Sequence, residues 1–283
     1  MESKGVSIII TAYNTANYIE ECLDSIYDQS WFKKHRNWEV LLGIDHCKET
    51  LKKVMSIMEK YPNLRVFYMV ENVGTYITSN TIILNAKYDK VLRFDSDDVM
   101  KDNMVETMVN CMQNNTEIVQ CYYKNFVKDK TAKGTKDIAH GVFLCKKSVF
   151  TKYGGFMPWK CAADTEFHER LKRKVHTAVS PEILFYRRIH ESSLTRSEGT
   201  SIRSKLRAEY RFYIRTTSPT VPVIKTKTAF CKEICINSDI EDFLLEPEET
   251  KEVKVEIKKP YVKRVIPNAK VIKKTLTNTY IGV

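Results

Sequence analysis

Residues 91–98 read Val-Leu-Arg-Phe-Asp-Ser-Asp-Asp, an apolar run that ends in three carboxylates, Asp95, Asp97 and Asp98. Buried acids repel one another and lose hydration, so such a cluster calls for a compensating cation. A hard divalent ion suits it. Mg2+ and Mn2+ take oxygen ligands from one or two carboxylates and leave positions for substrate phosphates. On these eight residues alone an acidic surface turn fits equally well. Their place adds weight to the metal reading: they end a strand-like run, and open α/β sheets gather ligands at the carboxyl ends of their strands.

The elements around the octet alternate. Val6–Ile10 is a β-branched strand and Thr11-Ala12-Tyr13-Asn14 is the turn after it. Over residues 15–28, Ile19, Cys22, Leu23, Ile26 and Tyr27 fall on one helical stripe, with Thr15 or Asn14 as cap. Trp38–Ile44 is a second strand and ends at Asp45; Leu51, Val54, Met55 and Met58 mark a helix over 48–60. Leu64–Val70 is a third strand, Ile77–Ala86 a helix, and Lys90–Phe94 the strand that delivers the acids. This alternation predicts a parallel sheet with right-handed crossovers. Further on we expect a helix near 102–113, a strand near 117–123, a polar loop over Lys128–Asp137 and a short strand at Gly141–Cys145. A helix over Lys146–Tyr153 stops at Gly154-Gly155, and another covers Asp164–Lys174. Residues 202–215 read as a basic amphipathic helix. After Ser218 prolines break the pattern into short pieces, an acidic patch over Glu246–Glu252 precedes a Lys/Val alternation over Lys254–Lys274, and the whole stretch reads as an appendage or arm with β tendency.

Several strand ends therefore point polar residues at one crevice: Tyr13 and Asn14, Asp45, the Asn72-x-Gly74 loop, and the carboxylates. A nucleotide fits this set, with an aromatic face for the base, a carboxylate for a base N–H and a metal for the diphosphate. Tyr13 as ordinary packing and Asp45 as a helix cap fit as well.

The ordered motifs resemble glycosyltransferase family 2 with the GT-A fold, over roughly residues 5–198. Val6 to Asn14 is similar to the family's opening strand and "P-x-Y-N" turn, with Thr11 where proline is common. Asn17 to Ile26 is similar to its first helix. Glu39 to Cys47 lies where the family writes "I-V-D-D-G-S", and only the second acid is present, as Asp45. Asn72-Val73-Gly74 with Ser79-Asn80 resembles "N-x-G-x-x-x-A-R-N", with Ser79 where arginine is usual. Asp95-Ser96-Asp97-Asp98 matches the D-x-D motif. Gly154-Gly155-Phe156 and Ala163-Asp164-Thr165-Glu166 resemble "G-G-F … E-D-x-x", and Tyr186 to Ser193 resembles "Y-R-x-H-x-x-S".

The resemblance implies a mostly parallel, Rossmann-like sheet flanked by helices, and transfer of a hexosyl or N-acetylhexosaminyl group from a nucleotide-sugar. A UDP-sugar is the default donor, and a hydroxyl on a glycan, protein or lipid is the acceptor. It implies that Thr11, Ala12, Tyr13, Asn14, Asp45, Asn72, Gly74, Asn80, Asp95, Ser96 and Arg188 bind the donor. Asp95, Asp97, Asp98 and His190 would hold Mn2+ or Mg2+, with His190 or an arginine at 187 or 188 also able to meet the diphosphate. Family members usually invert, which needs a carboxylate base. The match makes Asp164 that base and Glu166 the second choice. Asp164 as a helix cap is the plainer reading, and one residue can serve both roles.

Bulk properties frame this. The chain has 283 residues with 43% hydrophobic content, enough for one large α/β domain plus an appendage. We expect a GT-A domain over 1–198, with a nucleotide-sugar half at 1–100 and an acceptor half at 101–198, and a basic helix with an extended appendage over 199–283. Eight cysteines without a C-x-x-C pair fit reduced thiols and exclude a zinc ribbon. No apolar run reaches the ~18 residues of a membrane helix, and no signal-peptide core opens the chain, so the expected location is cytoplasmic. Net charge is +11, and residues 199–283 carry 17 Lys and Arg against 10 Asp and Glu. That excess points to an acidic partner, a peripheral membrane surface, self-association or a solvated face. No aromatic-basic motif supports nucleic acid as a partner. Two other functions compete: a catalytically silent GT-A domain that assembles partners through its basic arm, and a nucleotidyltransferase. The turn after the first strand lacks the glycines the latter needs.

Overall fold

Four strands run parallel at the centre of the sheet because most of their side chains are apolar and must be covered on both faces. They are β1 (Val6–Ala12), β2 (Trp38–Ile44), β3 (Leu64–Met69) and β4 (Lys90–Asp95), laid side by side as β4-β1-β2-β3. All seven residues of β1 are buried. Successive side chains point to opposite faces. Ile8, Ile10, Val40, Leu42 and Ile44 meet one helical layer, made of α1 (Ile19–Tyr27) and α3 (Lys48–Ile57). Ile9, Leu41 and Phe67 meet the other, made of α4 (Thr75–Leu84) and residues of two further helices, Lys147–Tyr153 and Ala163–Leu171. This is the mixed α/β, largely parallel GT-A sheet that the sequence predicts.

The structure, a computed structural model, describes residues 5–127, 133–191, 193–221 and 223–235, with single positions at 238, 240 and 243. Among the described residues five more strands complete a sheet of nine: β5 (Val99–Met100), β6 (Thr116–Phe126), β7 (Lys133–Lys146), β8 (His176–Arg188) and β9 (Cys231–Ile234), in the order β5-β8-β6-β7-β4-β1-β2-β3-β9. β7 runs antiparallel to both β4 and β6, while β8 lies parallel to β6. The remaining helices include α2 (Ser30–Lys34), α5 (Met104–Cys111), α6 (Lys147–Tyr153), α7 (Ala163–Leu171) and α8 (Lys205–Thr216).

Three features depart from the expected pattern. The polar stretch ending at Asp137 is strand from Lys133 onward, since Asn125 pairs with Lys133 and Tyr123 with Asp137; residues 128–132 lie outside the described residues. Pairing with β6 overrides a composition that reads as loop. β8 is long but polar and half-exposed, so its strand is set by its neighbour rather than by its own pattern. Beyond Ser218 a strand joins the main sheet: Cys231–Ile234 pairs antiparallel with β3 of the same chain and is fastened there by a two-bond Arg65–Glu233 ion pair. Contacts divide the chain into units Met1–Glu246 and Pro247–Val283. The whole second unit, with the Lys254–Lys274 alternation, lies outside the described residues.

α4 carries eight consecutive buried residues, polar Thr78, Ser79 and Asn80 among them. Asn80 uses its whole amide: it donates to the Phe156 and Lys227 carbonyls and accepts from the Phe156 amide. This pins the Gly154-Gly155-Phe156 segment that leads to α7. A Cβ at Gly155 would sit 2.2 Å from Asn80 Oδ1, so only glycine lets the segment approach. Gly155→Ala should therefore lower stability by about 1–3 kcal/mol, the usual cost of forcing an extra carbon into a packed site, read as a shift in denaturant midpoint at unchanged slope.

Candidate active site

The strand register sets the first contacts. Thr11 lies beside Asp95 on β4 and Ala12 beside Ile44 on β2, so the turn after β1 opens between the acids and Asp45. Asp45 is 3% exposed, and both its oxygens are occupied: Val73 and Gly74 donate their amides at 2.8 and 2.9 Å, while Asn72 Nδ2 donates to the Asp45 carbonyl at 3.3 Å. Burial pushes its carboxyl up, and the two amides pull against that. Asp45, Asn72 and Gly74 thus form one clasp that shapes the loop before α4. The Asp45 amide donates to the Ala12 carbonyl, and Thr11 and Thr75 share a hydroxyl hydrogen bond of 2.7 Å. Tyr13 is 58% exposed and Asn14 has a positive φ of 55°, so this turn offers an aromatic face to solvent.

The carboxylates after β4 divide by partner. Asp95 pairs with Arg93 Nη1 at 2.9 Å. Asp97 Oδ2 lies 2.7 Å from His190 Nε2. Asp98 is 2% exposed and accepts only the Arg188 amide, at 2.9 Å, among its described bonds. The Arg188 guanidinium donates to the Asp97 carbonyl and to Glu21, and lies over the Tyr18 and Phe126 rings. Ser96 is buried and donates to Thr15. Burial, reinforced by the charges of Asp97 and Asp95, pushes the Asp98 carboxyl well above its ordinary range. Burial raises Asp95 too, against the pull of Arg93. Among the described residues no three His, Cys, Asp or Glu side chains already converge as a metal cluster. The donor set of Asp95, Asp97, Asp98 and the His190 imidazole nevertheless fits a hard divalent cation. Such an ion takes part of its shell from substrate phosphates and water.

Asp164 approaches from the other half. It sits in the first turn of α7, whose N-cap is Ala162 in a left-handed conformation with φ 63°, so Asp164 is not the cap. Its Oδ1 accepts from Tyr76 Oη at 3.1 Å and from the Thr165 amide at 2.8 Å, and the side chain remains half-buried. Glu166 differs: it is fully buried and ion-paired at 3.0 Å with Arg170. The other Arg170 donors hold the carbonyls of Tyr153, Gly154 and Gly155. Glu166 and Asn80 are thus taken up in holding the Gly-Gly-Phe segment. Gly141 on β7 marks where the two halves meet. A Cβ built there would lie 3.4 Å from Asp164 Oδ2, 3.5 Å from Asp95 Oδ2 and 3.2 Å from Arg93 Nη1.

Four residues of this arrangement escaped the sequence reading: Arg93, Tyr76, Gly141 and Arg170. Two left a signal. An arginine inside an apolar strand demands a buried counter-charge, and Arg170 stands one helical turn after Glu166. Nothing local marks Tyr76 or Gly141.

The model of the family described as "Glycosyl transferase family 2" matches residues 7–191. Over 126 residues the chain is 28% identical to the glycosyltransferase GlyG of Streptococcus pneumoniae, covering 44% of this chain and 40% of GlyG. It thus spans about two fifths of that curated relative. Two solved structures share its fold. Staphylococcus aureus TarS in complex with UDP-GlcNAc has a TM-score of 0.56 at 20% identity, over 67% of this chain and 60% of that one. The mannosyltransferase PcManGT of Pyrobaculum calidifontis, in complex with GDP-Man and Mn2+, has a TM-score of 0.57 at 18% identity, over 76% of this chain and 70% of that one.

Beside Asp164, His168 Nε2 meets the His140 carbonyl at 3.0 Å. Burial, with His140 nearby, pushes the His168 imidazole from 6.5 down to about 4. The unfolded chain therefore takes up this proton at higher pH than the folded one. Stability should be complete above pH 6.5 and fall as the pH drops towards 4. His168→Asn should flatten that limb in a series of melting temperatures against pH.

Proposed function

The chain belongs to glycosyl transferase family 2, and from that premise we propose an inverting, metal-assisted transfer of a sugar from a nucleotide-sugar to an acceptor hydroxyl. The observation that carries the reading is the shared reach of Asp95 and Asp164 around Gly141, one from the donor strand and one from the facing helix. Asp164 takes the proton of the acceptor hydroxyl. The acceptor oxygen then bonds to the anomeric carbon on the face opposite the diphosphate, while the bond from that carbon to the phosphate oxygen breaks and the diphosphate keeps its electron pair. Tyr76 orients the base by donating to Asp164 Oδ1. The clasp of Asp45, Asn72 and Gly74 frames the nucleotide base beside Tyr13. A bound Mn2+ or Mg2+, held by Asp97, Asp98 and His190 with Asp95, would neutralise charge on the leaving diphosphate.

A UDP-sugar is the donor of first choice, carrying a hexosyl or N-acetylhexosaminyl group; GDP-mannose, the ligand of PcManGT, is the second. The silent-domain reading finds no support in the family match or in the relatives named as glycosyltransferases. We place the acceptor at a membrane surface. α8 presents Phe212, 71% exposed, between Arg211 and Arg215, and an anionic bilayer attracts such a face by about 1 kcal/mol per basic residue. Among the described residues no helix is long and apolar enough to cross a membrane. Flotation with phosphatidylglycerol vesicles should carry the protein up, and phosphatidylcholine vesicles should not. Absence from both, with a concentration-dependent dimer, would replace this partner by a second copy.

Calorimetric titration of UDP should show binding with Mn2+ that EDTA removes. Asp97→Asn should abolish both that binding and UDP release from a panel of UDP-sugars. Asp164→Asn should lower turnover by about a hundredfold or more while UDP binding holds, because a base acts in the transition state. Unchanged turnover with a lower melting temperature would reduce Asp164 to a structural role.

A further inference from the structure

We propose that Arg93 is a positioning residue for sugar transfer, its guanidinium supplying from β4 the buried cation that the family pattern carries on α4. The inference rests on the nucleotide-sugar reading above. Arg93 is 4% exposed and interrupts the apolar run Val91-Leu92-Arg93-Phe94 of β4, two residues before Asp95 and so on the same face. A buried guanidinium is tolerated only when its fork of donors is used. Here it is: Nε donates to Ser79 Oγ at 3.2 Å, Nη2 to Thr75 Oγ1 at 3.2 Å, and Nη1 to the Gly141 carbonyl and to Asp95 Oδ1. One group thereby ties β4, β7 and two places on α4.

These ties lead to both reacting sides. Asp95 is held directly. Thr75 passes the link on to Thr11 at the end of β1, and its neighbour Tyr76 donates to Asp164. Gly141, whose carbonyl Arg93 holds, lies between Asp95 and Asp164, within contact range of both carboxylates. The relative placement of the two carboxylates thus depends on one side chain that touches neither donor nor acceptor in the proposed mechanism.

The partner at Ser79 explains a departure noted in the sequence. Arginine is usual at that place in the "N-x-G-x-x-x-A-R-N" pattern, and this chain has a fully buried serine whose hydroxyl accepts from Arg93. Two guanidiniums would not fit together in one buried cage, so the serine and the strand arginine form a matched pair. The cation is present once, delivered from the opposite side. Lysine does not replace it, because an ammonium lacks the planar fork that reaches all four acceptors.

The test compares wild type with Arg93→Met, Arg93→Lys and the double exchange Arg93→Met with Ser79→Arg. UDP affinity in Mn2+ is measured by calorimetry, and kcat and KM are measured by UDP release from the best donor in the panel. Near-ultraviolet circular dichroism reports the fold. In Arg93→Met and Arg93→Lys we expect kcat to fall by about tenfold or more with KM and UDP affinity changed by less than about threefold, the split of a group that orients reacting residues. We expect the double exchange to recover most of the lost kcat. A wild-type kcat in either single variant overturns the proposal. So does a double variant with the native near-ultraviolet spectrum and no recovery. If Arg93→Met does not fold, Arg93→Lys and the double exchange decide. Failure of the wild type itself to bind UDP or release it from any donor would sink the nucleotide-sugar reading instead, which keeps the two failures distinct.

Discussion

Repulsion among carboxylates at the end of β4 is the constraint around which the molecule is arranged. Asp95, Asp97 and Asp98 emerge together, and Asp164 is brought toward them from α7. Each is met by a different device. A buried guanidinium takes Asp95, an imidazole takes Asp97, a backbone amide takes Asp98, and a phenol with an amide takes Asp164. No single cation neutralises the group. In the proposed mechanism a divalent ion would offset the repulsion that these separate devices leave.

The second half of the sheet makes sense as the support for this arrangement. β7 must run antiparallel against β4 to put Gly141 over Arg93 and Asp95, and the Arg170–Glu166 pair must hold the Gly-Gly-Phe segment so that α7 starts where Asp164 faces Tyr76. Buried polar groups are costly unless satisfied, and here the arginine donors end on backbone carbonyls, hydroxyls and the carboxylates of Asp95 and Glu166. The polar residues of α4 belong to the same scheme. Thr75, Ser79 and Asn80 line successive turns and serve the acid cage and the Gly-Gly-Phe clamp.

The parallel half was legible because its strands are buried on both faces and its helices are amphipathic. Trp38–Ile44 follows its apolar run to the residue, with Asp45 directly after it, and Asp95 closes β4. What was hidden was set by partners distant in the chain. Lys133–Asp137 is strand only because β6 lies beside it. β8 carries Pro181 and many exposed side chains, so no period of its own marks it. Asp45 reads as an acceptor for a base N–H or as a helix cap, but whether its oxygens face a base or the amides of 73 and 74 depends on a loop the local sequence does not position. Glu166 and Asp164 are two residues apart and look interchangeable on paper. A helix turns them to different surroundings, one into an ion pair in the core and the other toward Gly141.

The pairing of β9 with β3 has a consequence for biosynthesis. Arg65 and Glu233 are 168 residues apart, and the sheet edge at 64–69 stays uncovered until the chain beyond 234 has been made. At ~5–20 residues per second the ribosome leaves that edge open for on the order of ten to thirty seconds, although the strands it belongs to are local enough to fold at once. An unpaired edge invites pairing with another chain. β9 is therefore a late seal on an early-folding half, and nascent chains shortened before it would be the ones that depend on chaperones.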